Sequence, residues 1–289
     1  MTRTHRPPLS LLLIALAAVV SMSAAPLLIK ATDANEVTIG IVRLVVAVLA
    51  FSPALLLRRS LGKLSKWQWL QLCFIGFVFA AHWFTYFLSI KLATAALGAL
   101  AITTYSVQYL VLAHLFNGES INGVEWLAIA VCFLGCLFVS PEWNLTDTTS
   151  QGILVGLFSA LLYAALPLLH QRAQSVGTLE RTWGQFFFAL LFFAFAWGSA
   201  DWDLTAGDWY CLLALGLLCT VIAHGLWVKA STELPAIYTS MIYYLYLPLA
   251  LIGSVLFLHE DLTERKVLGT VLVISASASL SIYRYRRAH

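Results

Sequence analysis

Long apolar stretches, separated by short polar links, follow one another along the whole chain. An α-helix rises 1.5 Å per residue, so crossing a hydrocarbon core of about 30 Å takes about 20 mostly apolar residues. The pattern predicts ten such helices, at 9–29, 36–57, 67–88, 93–116, 124–140, 151–171, 182–200, 207–229, 235–258 and 266–284. The links are too short to hold a soluble domain. We therefore expect an all-α integral membrane protein with ten transmembrane helices.

Composition agrees with a membrane location and excludes several other classes of protein. Of the 289 residues, 61% are hydrophobic and 11% are charged, whereas soluble domains carry about 25% charged residues. A net charge of +3 is too small to indicate a nucleic-acid partner. The five cysteines fall in apolar stretches, and their odd number argues against a disulfide framework. The expected partners are a small-molecule substrate and the lipid bilayer, with no cofactor or metal and a monomeric chain.

The first apolar stretch has some features of a cleaved secretory signal. Basic residues at Arg3 and Arg6 precede it, and the small residues at 23–25 could form a cleavage site. However, Pro26 would directly follow the cut, which is a poor position for a peptidase, and the apolar run continues through Ile29. We expect this first helix to be retained.

The distribution of Lys and Arg predicts the orientation, because these residues concentrate in cytoplasmic links. With the N-terminus in the cytoplasm, twelve of them lie on the inner side, four lie on the outer side, and Arg43 lies within a span. We expect both termini to face the cytoplasm of a plasma membrane, the inner membrane of a bacterium.

An internal repeat appears when the chain is shifted by 141 residues against itself. This shift places Pro26 on Pro167, Tyr105 on Tyr246 and Glu119 on Glu260. Each half then holds five spans, an odd number, so the second half must enter the membrane upside down. The sequence predicts two inverted five-helix repeats, at 1–145 and 146–289.

Prolines within the spans are candidate hinges. Pro26 and Pro167 occupy equivalent positions, and Pro248 lies in the ninth span. Proline removes a backbone hydrogen bond from a helix, and interruptions at corresponding positions of two repeats often mark a substrate site. The alternative is that they simply bend packed helices.

Several motifs resemble those of the drug/metabolite transporter superfamily, specifically its EamA-like ten-helix members. Each half of such proteins tends to end with Gly-Glu, a turn and a glycine-bearing helix. The matching segments here are 117–120 with Gly135, 258–263 with Gly269, the arginine-bearing helix 41–47, and Pro235-Ala236 with Tyr246-Leu247-Pro248. The resemblance implies export or uptake of amino acids or related metabolites, and of the two we expect export.

The chain departs from the family pattern at three positions. Met22-Ser23 stands where Trp-Gly is frequent, Val107 where proline is frequent, and Leu162 where tryptophan is frequent. We expect these positions to lie near the substrate cavity, so the departures affect the identity of the substrate more than the fold.

Arg43 is the charged residue that lies well inside a predicted span. Placing a charged side chain at the centre of a membrane helix costs about 2.5–3.5 kcal/mol. It could bind a substrate carboxylate through paired hydrogen bonds. It could also have a structural role by binding backbone carbonyls, and the sequence leaves both possibilities open.

Histidines and aromatic residues in the middles of the spans are candidate substrate ligands. Histidine can bind a solute or change protonation near neutral pH, although a buried histidine can also be purely structural. Rings with polar tips suit a cavity for an apolar or aromatic solute. We expect the cavity to be formed by spans 1, 3, 4, 6, 8 and 9. The predicted substrate-binding residues are His82, Trp83, Tyr86, Thr103, Tyr105, Gln108, Tyr163, His224, Trp227, Tyr243 and Tyr246.

The absence of certain motifs limits the mechanism. The sequence has no Gly-rich phosphate loop, and its acidic residues fall in links or near span ends. We therefore expect a secondary transporter and no catalytic residues. Broad-range efflux of amphipathic or aromatic compounds is an alternative. A membrane enzyme or sensor is less favoured, because such proteins need a cluster of reactive side chains at one interface.

Overall fold

The structure is a computed structural model that describes residues 8–58, 60–139, 144–234 and 242–288. Pro235 and Ala236 of the ninth-span motif therefore lie outside the described residues. Within these ranges the regular secondary structure is entirely helical.

The described ranges contain thirteen α-helices. They are α1 (Leu9–Ser23), α2 (Ala25–Ala31), α3 (Glu36–Arg58), α4 (Lys66–Leu92), α5 (Ala95–Thr103), α6 (Tyr105–Asn117), α7 (Gly123–Phe138), α8 (Thr148–Arg172), α9 (Thr178–Phe195), α10 (Ala206–Gly216), α11 (Ala223–Glu233), α12 (Tyr246–Leu258) and α13 (Glu264–Ala288). A π-helical turn at Leu217–Ile222 joins α10 to α11.

Seven apolar segments of the described chain are long enough to cross a membrane. They are Leu9–Ala31, Glu36–Arg58, Lys66–Leu92, Ala95–Asn117, Thr148–Arg172, Ala206–Trp227 and Glu264–Arg287. Two shorter apolar helices are α7 and α12. The predicted all-α architecture is therefore confirmed. The count of ten spans stays a prediction, because α9 begins with polar residues such as Glu180 and Arg181, and 235–241 lies outside the described residues.

Several predicted spans are interrupted in the middle. The first span breaks at Ala24, and α2 restarts with Pro26 in its first turn, where the missing N–H has no helical partner to lose. The fourth span breaks at Thr104, whose Oγ1 donates to the carbonyl of Ala101 at 2.7 Å. Hydroxyl groups that bond to the preceding turn in this way often bend helices.

The helix ends of the two halves correspond at the shift of 141 residues. Helix α6 begins at Tyr105 and α12 at Tyr246, while the helices that follow begin at Gly123 and Glu264. The equivalence of Pro26 and Pro167 does not extend to the backbone. Pro167 lies within the continuous helix α8, whereas Pro248 lies in the first turn of α12. Of these two predicted hinges, Pro26 therefore lies beside a helix break, whereas Pro167 does not.

Contacts between the halves hold the helix ends. The carboxylate of Glu260 accepts hydrogen bonds from the backbone N–H groups of Ala95 and Ala96, at 2.7 and 3.2 Å, and so stabilises the start of α5. Arg284 of α13 binds Glu119 at 3.1 Å and Glu125 at 2.7 Å. Each of these interactions joins a residue of the first predicted repeat to one of the second.

Helices α7 and α13 pack closely through two glycines. A methyl group added at Gly269 would lie 2.7 Å from the carbonyl oxygen of Gly135 and 2.5 Å from Val139 Cγ1. Small residues allow helix backbones to approach closely in membranes, where van der Waals contact is a main source of helix association.

We expect Gly269→Ala to lower the thermal unfolding temperature of the purified protein. The added methyl group must push α7 and α13 apart, and overpacking of this kind typically costs about 1–3 kcal/mol. Gly123→Ala is the matched control, because a methyl group there meets no atom of the described chain within 4 Å. Equal unfolding temperatures for the two variants in a thermal-shift measurement would contradict the close contact.

Candidate functional site

A cavity of about 60 Å³ lies among the described helices and is lined by both halves of the chain. A cavity of this size is large enough to admit water molecules. Its lining residues are Met22, Ala25, Arg43, Phe79, His82, Trp83, Tyr86, Ile102, Tyr163, Cys219, His224, Tyr243 and Tyr246. They come from the predicted spans 1, 3, 4, 6, 8 and 9, and Arg43 adds span 2.

Arg43 lies in α3 and is 3% exposed. Its guanidinium lies over the ring of Trp83, with Cζ 4.1 Å from the ring centroid, and 5.3 Å from that of Phe87. Its Nε donates a hydrogen bond to Thr220 Oγ1 at 3.0 Å. The described residues provide no other hydrogen bond and no carboxylate for this side chain.

Thr220 fixes the orientation of Arg43 from the π-helical turn. Its hydroxyl donates to the carbonyl of Leu215, five residues earlier, at 2.8 Å. Since that hydroxyl has one proton, it can only accept from Arg43 Nε. The turn therefore holds the Nε side of the guanidinium and leaves the two terminal nitrogens available. Single π turns of this kind frequently occur at functional sites.

His82 of α4 is held in one tautomer by Ser159 of α8. The Ser159 hydroxyl donates to the backbone carbonyl of His82 at 2.8 Å. His82 Nδ1 lies 2.9 Å from that hydroxyl and 3.1 Å from the Ser159 carbonyl, both of which can only accept. Nδ1 must therefore carry the proton, and in the neutral ring Nε2 is an acceptor. Ser159 gives this histidine a structural anchor and leaves one nitrogen free for a solute.

Aromatic rings form a continuous wall across the cavity. The ring of His82 stacks on that of Tyr163, with centroids 4.7 Å apart and planes 20° apart. Tyr243 stacks on Tyr246 with centroids 5.7 Å apart. The hydroxyls of Tyr86 and Tyr246 are hydrogen-bonded at 2.5 Å, so a tyrosine of α4 meets one of α12 directly. This contact joins the two halves of the chain at the cavity lining.

His224 contributes a buried ring nitrogen to the cavity lining. Its Nδ1 does not reach hydrogen-bonding geometry with the described residues, and its side chain lies near the backbone of Cys219 and Thr220 in the π-helical turn. The ring contacts that of Phe186 at 5.9 Å. Three or more His, Cys, Asp or Glu side chains suitable for a metal ion do not come together anywhere in the described ranges.

Other predicted site residues do not line the cavity. Thr103 donates to the carbonyl of Ala99 within its own helix, at 2.7 Å. Gln108 binds Thr104 Oγ1 at 2.9 Å and the carbonyl of Leu157 at 3.2 Å, so it ties α6 to α8.

Tyr105 and Trp227 lie behind the wall of the cavity. The ring centroids of both residues are 5.4 Å from that of Tyr243. Both therefore support a lining residue, and a direct role in substrate binding is a prediction that no contact here tests. Among the predicted hinges, Pro26 directly follows the lining residue Ala25.

The sequence did not single out Thr220, Cys219 or Ser159. Cys219 precedes His224 by five residues and carries no such signal, whereas Thr220 precedes it by four, which is the spacing of one helix face. That spacing was the one available signal. Ser159 carries no comparable signal, since small hydroxyl residues are common throughout packed membrane helices.

Comparison with known proteins gives a consistent result. The sequence profile described as the EamA-like transporter family matches residues 9–140 and, separately, 150–282. The chain is 24% identical over 231 residues to the uncharacterized transporter YxxF of Bacillus subtilis, which covers 78% of this chain and 74% of that protein. It is 27% identical over 194 residues to the riboflavin transporter of Rhizobium johnstonii, covering 65% of this chain and 63% of that one.

A solved crystal structure of another protein has a similar fold. The superposition has a TM-score of 0.67 and covers 97% of this chain and 99% of the other, at 17% sequence identity. At that identity the similarity concerns the fold alone.

We expect Tyr246→Phe to open the cavity. It removes the hydrogen bond to Tyr86, worth about 0.5–1.5 kcal/mol, which corresponds to about a two- to tenfold change in an equilibrium. The rate at which a small water-soluble thiol reagent modifies Cys219 should rise accordingly in a variant where Cys219 is the sole cysteine.

Tyr244→Phe is the matched control for this measurement. The Tyr244 hydroxyl donates to the carbonyl of Ser277 at 2.8 Å, away from the cavity lining. Equal modification rates in the two variants would mean that the Tyr86–Tyr246 contact does not close the cavity.

Proposed function

Because the chain belongs to the EamA-like transporter family, we propose that it is a secondary transporter whose central cavity carries a small metabolite across the membrane by alternating access. The observation that carries this proposal is the cavity itself, which both halves line and where the hydroxyls of Tyr86 and Tyr246 join them. Two repeats of similar structure allow outward-open and inward-open forms of similar energy.

The two-repeat organisation has independent support. The family profile matches once in each half. Helices α6 and α12 also begin 141 residues apart and end 141 residues apart. We propose that the halves are related by inverted topology, with both termini in the cytoplasm of a bacterial inner membrane. The distribution of Lys and Arg supports this orientation.

The substrate class proposed from the sequence is an amino acid or a related compound, moved outward. The aromatic wall supports the related alternative of amphipathic or aromatic solutes. The relative from Rhizobium johnstonii is named for riboflavin, which is itself an aromatic solute. We propose that aromatic solutes are carried here as well, with His82, Tyr86, Tyr163 and Tyr246 in contact with them.

Transport into proteoliposomes tests the proposal. Liposomes that contain the purified protein should accumulate or exchange at least one labelled solute from a panel of amino acids, aromatic acids and riboflavin, faster than empty liposomes do. Repeating the measurement with a pH gradient tests whether protons are coupled. If no solute in the panel crosses faster than in empty liposomes, the proposal fails for these solute classes.

The residues of the cavity can be tested in the same measurement. His82→Ala and Tyr246→Ala should each lower the transport rate by at least tenfold, because they remove a stacking face and an acceptor or hydroxyl from the wall. Gln108→Ala is the comparison, since Gln108 lies outside the lining. Unchanged rates for both lining variants, at equal insertion, would exclude this cavity as the route.

A further inference from the structure

Charge in the cavity is unbalanced. Among the lining residues that the structure describes, Arg43 is the sole side chain with a formal charge. The part of span 9 that lies outside the description, 235–241, contains no Asp or Glu in its sequence. The site therefore has a fixed positive charge and no carboxylate to balance it.

The contacts of Arg43 compensate this charge in part. The Trp83 face and the Thr220 hydroxyl supply weak and neutral partners, in an interior where an unpaired charge is costly. Both terminal nitrogens remain without a hydrogen-bond partner in the described chain. A guanidinium edge with two parallel N–H groups matches the two oxygens of a carboxylate.

The same charge disfavours other solutes. A cation would meet repulsion from Arg43 at close range and low dielectric. A zwitterion could place its carboxylate on Arg43, but its ammonium group would be buried without an acidic partner. A monoanion alone gives a neutral, fully paired site.

The aromatic residues that line the cavity favour a solute that carries a ring in addition to its acid group. The rings of Tyr163, Tyr243 and Tyr246 line the cavity, and the ring of His82 lies beside that of Tyr163. Planar rings stack on such faces with a gain of about 0.5–1.5 kcal/mol per pair beyond area burial. Because the hydroxyl contact between Tyr86 and Tyr246 joins the two halves at the lining, we expect the solute to enter when these two residues separate.

We propose that the substrates of this transporter are small aromatic monoanions, bound with the acid group on the free edge of Arg43 and the ring among His82, Tyr163 and Tyr246. This inference rests on the proposed transport function. It keeps the aromatic solutes proposed there and replaces the zwitterionic amino acids with monoanions. Thr220 acts as a positioning residue that directs the free edge of Arg43 toward the solute.

The test uses four solutes that share one phenyl ring and differ in charge. They are 3-phenylpropionate, L-phenylalanine, 2-phenylethylamine and 3-phenylpropanamide. Binding to the detergent-purified full chain is measured by calorimetry at neutral pH. 3-Phenylpropionate should bind at least tenfold more tightly than each of the others. 3-Cyclohexylpropionate, which has the same charge without a planar ring, should bind several-fold more weakly.

Four variants connect this preference to named residues. Arg43→Gln should reduce the preference for the acid over the amide to about onefold, and Arg43→Lys should retain part of it. Thr220→Val should lower acid affinity several-fold, whereas Thr220→Ser should restore it. The control is Arg181→Gln, because Arg181 binds the carbonyl of His170 and lies outside the lining.

The outcomes separate this inference from the transport proposal. Tighter binding of phenylalanine or phenylethylamine, an unchanged preference in Arg43→Gln, or no binding of any of the four at millimolar concentration would overturn the inference. If Arg43→Gln does not fold, the wild-type order of the four affinities decides alone. Anion binding without movement in proteoliposomes would instead refute transport while the site assignment stands.

Discussion

The burial of the Arg43 charge is the constraint around which the centre of this protein is organised. A guanidinium in an apolar interior needs partners, and the chain supplies them from elements distant in sequence: the Trp83 ring from α4 and the Thr220 hydroxyl from the π-helical turn. The turn exists in the middle of a span, where a regular α-helix would direct Thr220 differently. The buried guanidinium thus meets an aromatic ring and the π-helical turn at the centre of the described fold.

The second organising feature is the meeting of broken helices at the cavity. Helices α5 and α6 meet at Thr104, and α12 begins after a turn at 244–245. These breaks bring Ile102, Tyr243 and Tyr246 to the lining. Because the Glu260 carboxylate stabilises the start of α5, a residue of one half maintains the interrupted helix of the other. Relative motion of the halves would therefore alter the cavity and the helix ends together.

The repeat is more regular in its helix ends than in its interiors. Helices α6 and α12 match in their bounds, whereas α8 continues through Pro167 and the first span breaks near Pro26. Likewise the second half contains a π-helical turn, and the corresponding part of α4 is regular. Corresponding helices such as α6 and α12 have equal lengths, which preserves a common architecture in the two halves. The irregularities within the spans differ between the halves, so the two halves contribute different side chains to the cavity, with the arginine coming from the first half alone.

The sequence by itself determined the helical class, the apolar segments, the repeat and the presence of an arginine and aromatic rings within the spans. These follow from hydrophobic length and residue type, which need no knowledge of contacts. Only the tertiary structure decided which side chains meet: it brought Tyr86 to Tyr246, Ser159 to His82 and Thr220 to Arg43, and it placed Thr103 and Gln108 away from the cavity. The reason is that membrane helices are apolar on every face, so periodicity does not reveal which face turns inward. The inward face is set by packing against the other helices.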